Sequence, residues 1–347
     1  MNPAPDDRLL PAPVPSALGG PAGAALLRHE AEDFQVTERL GFEPDGDGPH
    51  RLVLVRKRCL STPEAAARLA QAAGVARRDV GHAGLKDRRA VAVQWLSCPA
   101  AAALQPGPLG EGLEILRLAP HRRKLKPGSL RGNHFELLLR EVSGNRRTLG
   151  RRLRDIARHG VPNAFGPQRF GRGGANLDKA AAWFAGRLRV RDRGLQGLLI
   201  SAARAEQFNR VLAQRIRANS WDQAGPDDLM VLDGRGSLFP AADEAPQRLA
   251  RRLAWHAVHP TGPLAGAGGP RPGPAVAALE TAATADLQEL RAALEQRRVI
   301  AGRRALRLSV GGLWWRWEGT DCLRLGFELP AGSYATAVLA ELVEVVD

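Results

Sequence analysis

The sequence predicts an α+β protein, with a sheet domain that is interrupted by a mostly helical middle. Strand-like patterns fill about the first 140 residues and about the last 40, and helices occur between them in no strict alternation. From about residue 160 to residue 306 the pattern is mostly helical, which indicates a separate inserted unit. At 347 residues the chain is long enough for two such domains.

The first strands and the first helix have clear local signals. A strand begins near Phe34, where apolar and polar residues alternate, and a second strand covers residues 51–60. A helix is predicted over residues 61–74, because Ser61 and Glu64 have the spacing of a capping box and the segment closes on a glycine.

A loop with the sequence Gly-Leu-Lys-Asp comes next, over residues 84–87. A short strand is predicted just before it, near Val80, and a longer strand after it, over residues 90–98. Beyond a basic segment, a turn is predicted at residues 132–133, followed directly by a further strand. The aspartate of the first loop therefore lies between strands, where functional groups commonly occur.

The rest of the chain follows from weaker signals. Residues 1–23 are predicted to form a flexible or loosely attached leader. The other predictions, in chain order, are a helix over 146–160, a Gly-rich loop over 161–180, helices over about 178–186 and 201–219, a hairpin at Asp233 and Gly234, a Gly/Pro-rich connection over 262–274, a long helix over about 282–302, a strand with a Gly-Gly turn, strands over 313–319 and 322–329, and a helix over 333–345.

The composition is strongly basic, with 50 Lys+Arg against 36 Asp+Glu and a formal charge of +14. Such a chain usually meets a polyanion, and nucleic acid is the first candidate. The alternative is compositional drift, since the chain is also rich in Ala, Gly and Arg. Only five of the cations are lysine, and they hint at selection for an ammonium group: Lys57, Lys86, Lys124, Lys126 and Lys179.

Several protein classes are disfavoured. Three cysteines in separate segments give no disulfide framework, which fits a reducing, cytoplasmic protein. The start of the chain is not typical of a signal peptide, and no apolar run approaches the ~18 residues of a membrane span. Scattered histidines, with no C-x-x-C pair and no G-x-S-x-G elbow, disfavour zinc deaminases, zinc proteases and serine hydrolases.

Asp87 stands among Lys86, Arg88 and Arg89. Opposite charge favours the ionised form of a carboxyl group, so Asp87 should be negative at neutral pH, as a nucleophile or a base must be. The alternative is a turn aspartate that bonds to its own loop, with solvated cations around it. The residues alone leave both interpretations open.

Other candidate residues also have a structural alternative. Phe34 could stack on a base or belong to the core, and Asn133 could bind a ligand or form a turn. The glycines at 171–174 fit neither common nucleotide-binding spacing. A basic run could contact phosphates or could simply be solvated: Arg122, Arg123, Lys124 and Lys126.

Several segments together resemble one family, the TruD-type tRNA pseudouridine synthases. They follow the family order through nearly the whole chain, and the most specific are AGLKDRRAVAVQW (83–95), LRGNHF (130–135) and VPNAFGPQRFG (161–171). The patterns K-D-[KR]-x-A-x-x-x-Q and N-x-F-G-x-Q-R-F-G both occur at spacings that suit the family. The resemblance favours a catalytic interpretation of Asp87.

The resemblance implies a pseudouridine-synthase catalytic domain with a bent mixed or antiparallel sheet, over residues 24–159 and 307–347. An inserted α/β TRUD domain would occupy residues 160–306. The implied reaction is isomerisation of a flipped-out uridine in tRNA, at position 13 in the bacterial members, without a cofactor or a metal. The expected partner is tRNA, and the expected enzyme is a cytoplasmic monomer.

The resemblance also assigns site residues. Asp87 aligns with the essential aspartate of the family, and Arg28 aligns with a basic residue, commonly Lys, near that aspartate. Phe34, Asn133 and Phe135 align with residues that shape the uracil pocket. Further substrate contacts are expected from four residues within the matching motifs: Lys86, Gln94, Gln168 and Arg169.

Two positions depart from the family pattern. Ala92 stands where Thr is frequent, and Ala164 where Tyr is frequent, so each place lacks a hydroxyl group. Details of substrate binding are affected more than the reaction. An RNA path between the two domains is expected to be lined by the basic run together with Arg169 and Arg172.

The implied chemistry explains the residue types. Pseudouridine forms when the N1–C1′ bond breaks, the uracil turns, and C5 joins C1′, which requires a base flipped out of its stack. A phenylalanine can hold the uracil by stacking, and the Asn133 amide can position it. Two rivals are an RNA-binding protein or chaperone in which Asp87 is structural, and a nuclease, for which the sequence shows no further carboxylates converging on a metal.

Overall fold

The computed structural model of the chain describes residues 9–100 and 103–346. The strands in this part are, in chain order, β1 (Ala24–Leu26), β2 (Phe34–Leu40), β3 (His50–Arg58), β4 (Gly81–His82), β5 (Val91–Pro99), β6 (Gly107–Pro108), β7 (Leu113–His121), β8 (Leu130–Leu139), β9 (Val161–Pro162), β10 (Leu229–Leu232), β11 (Leu238–Pro240), β12 (Val258–Leu264), β13 (Gly302–Ala305), β14 (Arg307–Leu308), β15 (Gly311–Glu318), β16 (Cys322–Pro330) and β17 (Glu344–Val346). The α-helices are α1 (Thr62–Ala73), α2 (Arg146–His159), α3 (Pro167–Phe170), α4 (Ala175–Phe184), α5 (Arg193–Arg217), α6 (Pro246–Ala254), α7 (Pro274–Ala283), α8 (Gln288–Gln296) and α9 (Ala335–Ala340). This mixture confirms the predicted α+β class.

The chain divides into two compact units, and each is described by itself. The sheet unit comprises residues 21–157, 310–335 and 342–346, and the helical unit comprises residues 9–20, 158–309 and 336–341. The domain assignment predicted from the sequence, a catalytic domain interrupted over residues 160–306, stays a prediction.

The sheet unit is built on a nine-stranded mixed sheet within the described residues. Its strands follow the order β15-β16-β8-β2-β5-β3-β7-β6, and β4 pairs with β5. Neighbouring strands are antiparallel except β2 and β5, which run parallel. A separate parallel pairing joins β1 to β17.

Helix α1 lies against this sheet and begins as predicted. The Ser61 amide donates to the Glu64 carboxylate at 2.7 Å, and the Glu64 amide donates to the Ser61 hydroxyl at 3.3 Å. The helix ends at Gly74, whose φ of +65° is in the left-handed region that favours glycine. Leu69 of the helix and Val53 of β3 are fully buried in a shared apolar core.

The predicted turn at Gly132 and Asn133 is wrong. Both residues lie inside β8, which pairs with β2 on one side and with β16 on the other. A Cβ atom on Gly132 would stand 2.4 Å from the carbonyl oxygen of Leu329, so the glycine permits a close approach of two strands. Pairing on both sides of β8 outweighs the local turn preference of a Gly-Asn pair.

Four predictions in the second half of the chain are wrong in extent. Of the long helix predicted over 282–302, only the last residues of α7 and the helix α8 form, and β13 begins at its end; the connection over 262–274 begins inside β12. The Gly-Gly turn lies within β15, and the helix over 333–345 is only α9, followed by β17. In three of these places a strand forms because it pairs with a distant segment: β12 with β13, β13 with β12, and β17 with β1. A local sequence pattern carries no information about such a partner.

The Gly-rich loop predicted over 161–180 is wrong in part, because this segment contains β9, α3 and the first part of α4, whereas two other predictions for the middle of the chain are confirmed. Helix α2 buries Leu149, Leu153 and Ile156, and the hairpin is formed by the antiparallel strands β10 and β11. Helix α5 begins earlier than predicted, because the Asp192 carboxylate caps it by accepting the Leu195 N–H at 2.6 Å.

The helical unit has its own sheet and its own cores. Its strands follow the order β11-β10-β12-β13. Phe208 and Leu212 of α5 are fully buried together with Leu306 and Trp221. Val161 of β9 pairs with Leu308 of β14, so the two ends of the 158–309 segment lie side by side.

Residues 1–23 are predicted to form a flexible or loosely attached leader, of which residues 1–8 lie outside the described residues. The described part is attached by hydrogen bonds to buried carboxylates, so it is held more firmly than predicted. In the helical unit, the Ala12 N–H donates to the buried Glu206 carboxylate at 3.1 Å. The carboxylate of Glu341 accepts two further backbone N–H groups of this segment, at 2.9 and 3.0 Å. Buried carboxylates need donors, and this segment supplies them.

Candidate active site

One face of the large sheet carries four of the nine predicted site residues. Val36 of β2 pairs with Phe135 of β8 and with Ala92 of β5, and Ala92 in turn pairs with Lys57 of β3. Directly paired residues project to the same side of a sheet, as do residues two apart on one strand. This side, called the site face below, therefore carries Phe34, Glu38, Lys57, Gln94, Asn133, Phe135 and Phe327.

Buried charges fasten the Asp87 loop to the site face. The Lys57 ammonium donates to the carbonyl oxygen of Asp87 at 2.6 Å and to that of Leu60 at 2.5 Å. The Lys86 ammonium pairs with the Glu38 carboxylate at 2.6 Å, and both side chains are buried. Removing one partner of such a buried pair is costly, so these contacts fix the conformation of the loop.

The first turn of α1 holds the same loop. The Thr62 hydroxyl accepts the Lys86 N–H at 2.9 Å and donates to the amide oxygen of Gln94 at 2.9 Å. Lys86 and Gln94 are predicted from the sequence to contact substrate. In the structure both side chains are buried and bonded internally, which favours a role in positioning the loop.

Asp87 and Arg28 are brought together. The Asp87 side chain is 60% exposed, and its carboxylate accepts a hydrogen bond from the Arg28 guanidinium at 2.6 Å. Arg28 lies 4.2 Å over the ring of Phe34 and has a φ of +65°, which non-glycine residues rarely adopt. Left-handed backbone at such a residue costs about 1–3 kcal/mol and is found mostly at functional sites.

An aromatic cluster lies beside an unpaired amide. Phe34 and Phe135 meet edge to face with ring centres 6.0 Å apart, and Phe135 packs on Phe327 at 5.5 Å. On the same strand as Phe135, the Asn133 side-chain oxygen is buried without a hydrogen-bond partner among the described residues. A buried unpaired acceptor costs about 1–3 kcal/mol, so it indicates a place where a ligand donates.

Burial changes the ionisation of Lys57. Its side chain is fully buried, and this lowers its pKa from 10.5 to about 8. Asp87 raises the pKa of Lys57 and Lys86 lowers it, with smaller contributions from Glu64 and Cys59 that raise it. A titratable group thus lies directly beneath the Asp87 loop.

Some site residues carried little or no signal in the sequence. Lys57 could have been noticed only as one of five lysines in an arginine-rich chain. Phe327 and Glu38 looked like ordinary strand residues, and Thr62 looked like the start of a helix. Their place at the site depends on strand register, which no local pattern contains.

Gln168 and Arg169 belong to the helical unit. Both lie on the short helix α3, where Gln168 is exposed. The Arg169 guanidinium donates to the Ser201 hydroxyl at 2.9 Å and lies 5.4 Å from the ring centre of Phe165. Their predicted contact with substrate stays a prediction.

The basic run predicted to meet RNA is partly neutralised. The Arg122 guanidinium donates to both carboxylate oxygens of Asp47, at 2.8 and 3.0 Å. The Lys124 ammonium donates to the carbonyl oxygen of Arg78. Within this run, Arg123 and Lys126 are exposed.

The part of the chain that the structure describes contains neither a metal-binding cluster nor a membrane-spanning helix. No group of three or more His, Cys, Asp or Glu side chains could hold a metal ion among them. None of the helices in residues 9–100 and 103–346 is both long enough and apolar enough to cross a membrane.

Comparisons with known proteins agree with the sequence motifs. The family model of tRNA pseudouridine synthase D (TruD) matches residues 19–177 and 175–342. The chain belongs to the TruD family. Two curated relatives named tRNA pseudouridine synthase D are 44% identical (Nitrosococcus oceani, 94% of this chain and 93% of the relative) and 42% identical (Xanthomonas euvesicatoria, 96% and 95%).

A solved TruD structure shares the fold. A crystal structure of a Methanosarcina mazei protein, provisionally assigned as tRNA pseudouridine synthase D, superposes with a TM-score of 0.71. The match covers 95% of each chain at 19% sequence identity. The fold of this TruD-family chain is therefore that of its relative.

The two departures from the TruD pattern fall in different units. Ala92 is fully buried in the sheet unit, between Val36 and Lys57. Ala164 packs at the edge of a core of the helical unit, beside Phe208. A hydroxyl group at position 92 would therefore be buried next to Lys57 of β3 and would not reach solvent.

Proposed function

We propose that this chain is an isomerase that converts uridine to pseudouridine in tRNA, with Asp87 as the catalytic carboxylate. One observation carries the proposal. An exposed carboxylate is held by Arg28 at 2.6 Å on a loop that is fixed from beneath by buried lysines, beside an aromatic cluster. Membership of the TruD family supports the same conclusion.

The chain's own groups suit the reaction. The uridine is flipped out of its stack, since neither the N1–C1′ bond nor C5 can be reached inside one. Phe34 and Phe135 are almost fully buried, so the uracil would meet the edge of their cluster beside Arg28, and the unpaired oxygen of Asn133 would accept an N–H of the ring. Arg28 holds the Asp87 carboxylate in place through a charge-assisted hydrogen bond while the glycosidic bond is exchanged.

The remaining parts of the proposal concern substrate and setting. We place the target at position 13 of tRNA, because that is the position expected from the family resemblance. Asp87 and Arg28 need no cofactor for an isomerisation without net redox change or hydrolysis. The protein would act as a monomer in the cytoplasm, where tRNA is found.

The test is tritium release from tRNA labelled at C5 of uridine. Wild type should release tritium, and Asp87→Asn should lower the rate at least about 10³-fold while tRNA binding stays close to normal. Asp79→Asn, an aspartate of the same unit outside the site, serves as the matched control and should keep full activity. Equal release by wild type and Asp87→Asn would remove Asp87 from the reaction.

The position is tested with a tRNA in which uridine 13 is replaced by cytidine. Loss of tritium release supports position 13, and unchanged release places the target elsewhere in the molecule. If wild type binds tRNA tightly but never releases tritium, the chain is an RNA-binding protein in which the Asp87–Arg28 pair is structural.

A further inference from the structure

Helix α2 presents three arginines along one exposed side. Arg147, Arg151 and Arg154 are spaced by four and three residues, so they lie next to one another on the helix surface. We call them the arginine stripe. The opposite side of α2 is apolar and buried, which fixes the direction in which the stripe points.

The stripe is not neutralised by any of the residues that the structure describes. Within the described residues, no side chain of the three forms an ion pair or a hydrogen bond. Two exposed arginines elsewhere in the sheet unit are paired: Arg56 pairs with Glu114 at 2.9 Å, and Arg316 pairs with Glu318 at 3.0 Å. Compositional drift toward arginine would not by itself leave unpaired cations concentrated in one row.

The arrangement is unfavourable for the helix alone. Like charges four residues apart destabilise a helix by about 0.2–0.5 kcal/mol. Arg147 also lies in the first turn of α2, where the helix dipole disfavours positive charge. The neighbouring Arg146 shows a structural alternative, since it donates to two carbonyl oxygens and lies over the Trp317 ring.

We infer that the arginine stripe of α2 binds backbone phosphates of the tRNA, an interaction that rests on the proposed function. Seven residues of helix span about 10 Å, and a guanidinium can hold a phosphate with two hydrogen bonds. No large exposed apolar side chain occurs on α2, so the anchor typical of a protein partner is absent from this helix. Phosphate contacts give affinity and orientation rather than sequence recognition.

The test compares two triple variants with the same loss of charge. In the first, Arg147, Arg151 and Arg154 are each changed to Gln, which keeps a good helix former. In the second, three ion-paired arginines of the same unit that lie outside the basic run are changed to Gln: Arg39, Arg56 and Arg316. Binding of unmodified tRNA is measured for both variants and wild type between 50 and about 200 mM salt.

The stripe variant should bind tRNA at least about 10-fold more weakly at low salt, and the slope of log K against log salt should fall by about 2. The paired-arginine variant should change much less. With protein in saturating excess, the single-turnover rate of the stripe variant should equal that of wild type, because the stripe does not touch the uracil.

Two results would overturn the inference: no change in the stripe variant, or equal weakening in both variants, which would mean that only net charge matters. The measurement is separate from catalysis. If wild type binds tRNA through the stripe but makes no pseudouridine, the proposed function fails and the stripe stands. If wild type makes pseudouridine and the stripe variant binds tRNA like the paired-arginine variant, the proposed function stands and the inference about the stripe fails.

Discussion

At the scale of single residues, Lys57 connects the loop that carries Asp87 to the sheet. Its ammonium is fully buried and bonds to the backbone of the Asp87 loop, so it contacts the loop without reaching the reacting groups. Burial lowers the pKa of Lys57 to about 8, so the folded protein loses this proton at a lower pH than a lysine exposed to water would. Lys57 is therefore a positioning residue that changes its charge in an accessible pH range.

We predict that isomerisation slows above about pH 8 as Lys57 loses its proton. Between about pH 8 and pH 10.5 the Lys57 side chain is protonated in the unfolded chain but not in the folded chain. The contribution of Lys57 to the free energy of unfolding therefore rises with pH over this range. The hydrogen bond from Lys57 to the Asp87 loop weakens over the same range, because its donor is no longer charged. The measurement is the single-turnover rate against pH for wild type, Lys57→Met and the exposed-lysine control Lys179→Met.

The decrease of the single-turnover rate above about pH 8 should also be seen in Lys179→Met. It should be absent in Lys57→Met, whose rate should be low at all pH values. A decrease that is unchanged in Lys57→Met would assign the titration to another group.

Asn133 allows a separation of stability from activity. Its buried oxygen has no partner in the described structure, so Asn133→Ala should leave the melting temperature unchanged or slightly higher. Activity should fall at least about 10-fold, since the uracil loses its acceptor. Phe135→Leu is the matched contrast on the same strand and should lower stability as well as activity; loss of stability in Asn133→Ala would indicate a structural amide.

The sequence predicted single residues unevenly, for physical reasons. Asp87 was selected by its charged neighbours and by the family motif, and Arg28 by the family resemblance alone; in the structure the Arg28 guanidinium and the Asp87 carboxylate are 2.6 Å apart. Asn133 was placed in a turn by its local preference, and Phe327 was not noticed, because their positions depend on pairing between β8 and β16. Local chemistry can be read from one segment, whereas cross-strand register cannot.

At the scale of elements, the N-terminus of α1 both starts the helix and holds the Asp87 loop. The capping box of Ser61 and Glu64 starts the helix, and the hydroxyl of Thr62, the residue after Ser61, accepts the Lys86 N–H of the loop. The start of the helix therefore determines where the loop lies. Elements with such local signals, including α2 and the β10–β11 hairpin, were predicted correctly, whereas those formed by distant pairing, such as β13 and β17, were missed.

We predict that Ser61→Ala costs about 1 kcal/mol of stability, because the amide of Glu64 loses its acceptor. Activity should fall more than this small loss of folded protein explains, since the helix start moves relative to the loop. Chemical denaturation and the single-turnover rate at full folding measure the two effects. Ser129→Ala, in an exposed turn, is the control; full activity in Ser61→Ala would separate the helix start from the loop.

At the scale of the whole molecule, each unit has an apolar core of its own. Leu69 belongs to the core of the sheet unit, and Leu212 to a core of the helical unit. Separate cores can unfold separately, and buried Leu→Ala substitutions cost about 2–5 kcal/mol.

We predict that Leu212→Ala lowers hydrogen-exchange protection in residues 158–309 and spares the strands of the sheet unit. Leu69→Ala should have the opposite pattern. Mass spectrometry of exchanged peptides measures both. Equal loss of protection throughout the chain in either variant would show that the protein unfolds as one cooperative body.

The order of the strands also has a consequence for synthesis on the ribosome. β16 lies next to β8 and contributes Phe327 to the aromatic cluster, and β17 closes on β1 near the other end of the chain. During synthesis Arg28 and Asp87 emerge from the ribosome before β8, and β16 follows only after the segment 158–309. Until β16 pairs with β8, a nascent chain holds the proposed catalytic pair without Phe327, so the aromatic cluster beside that pair is completed late in synthesis.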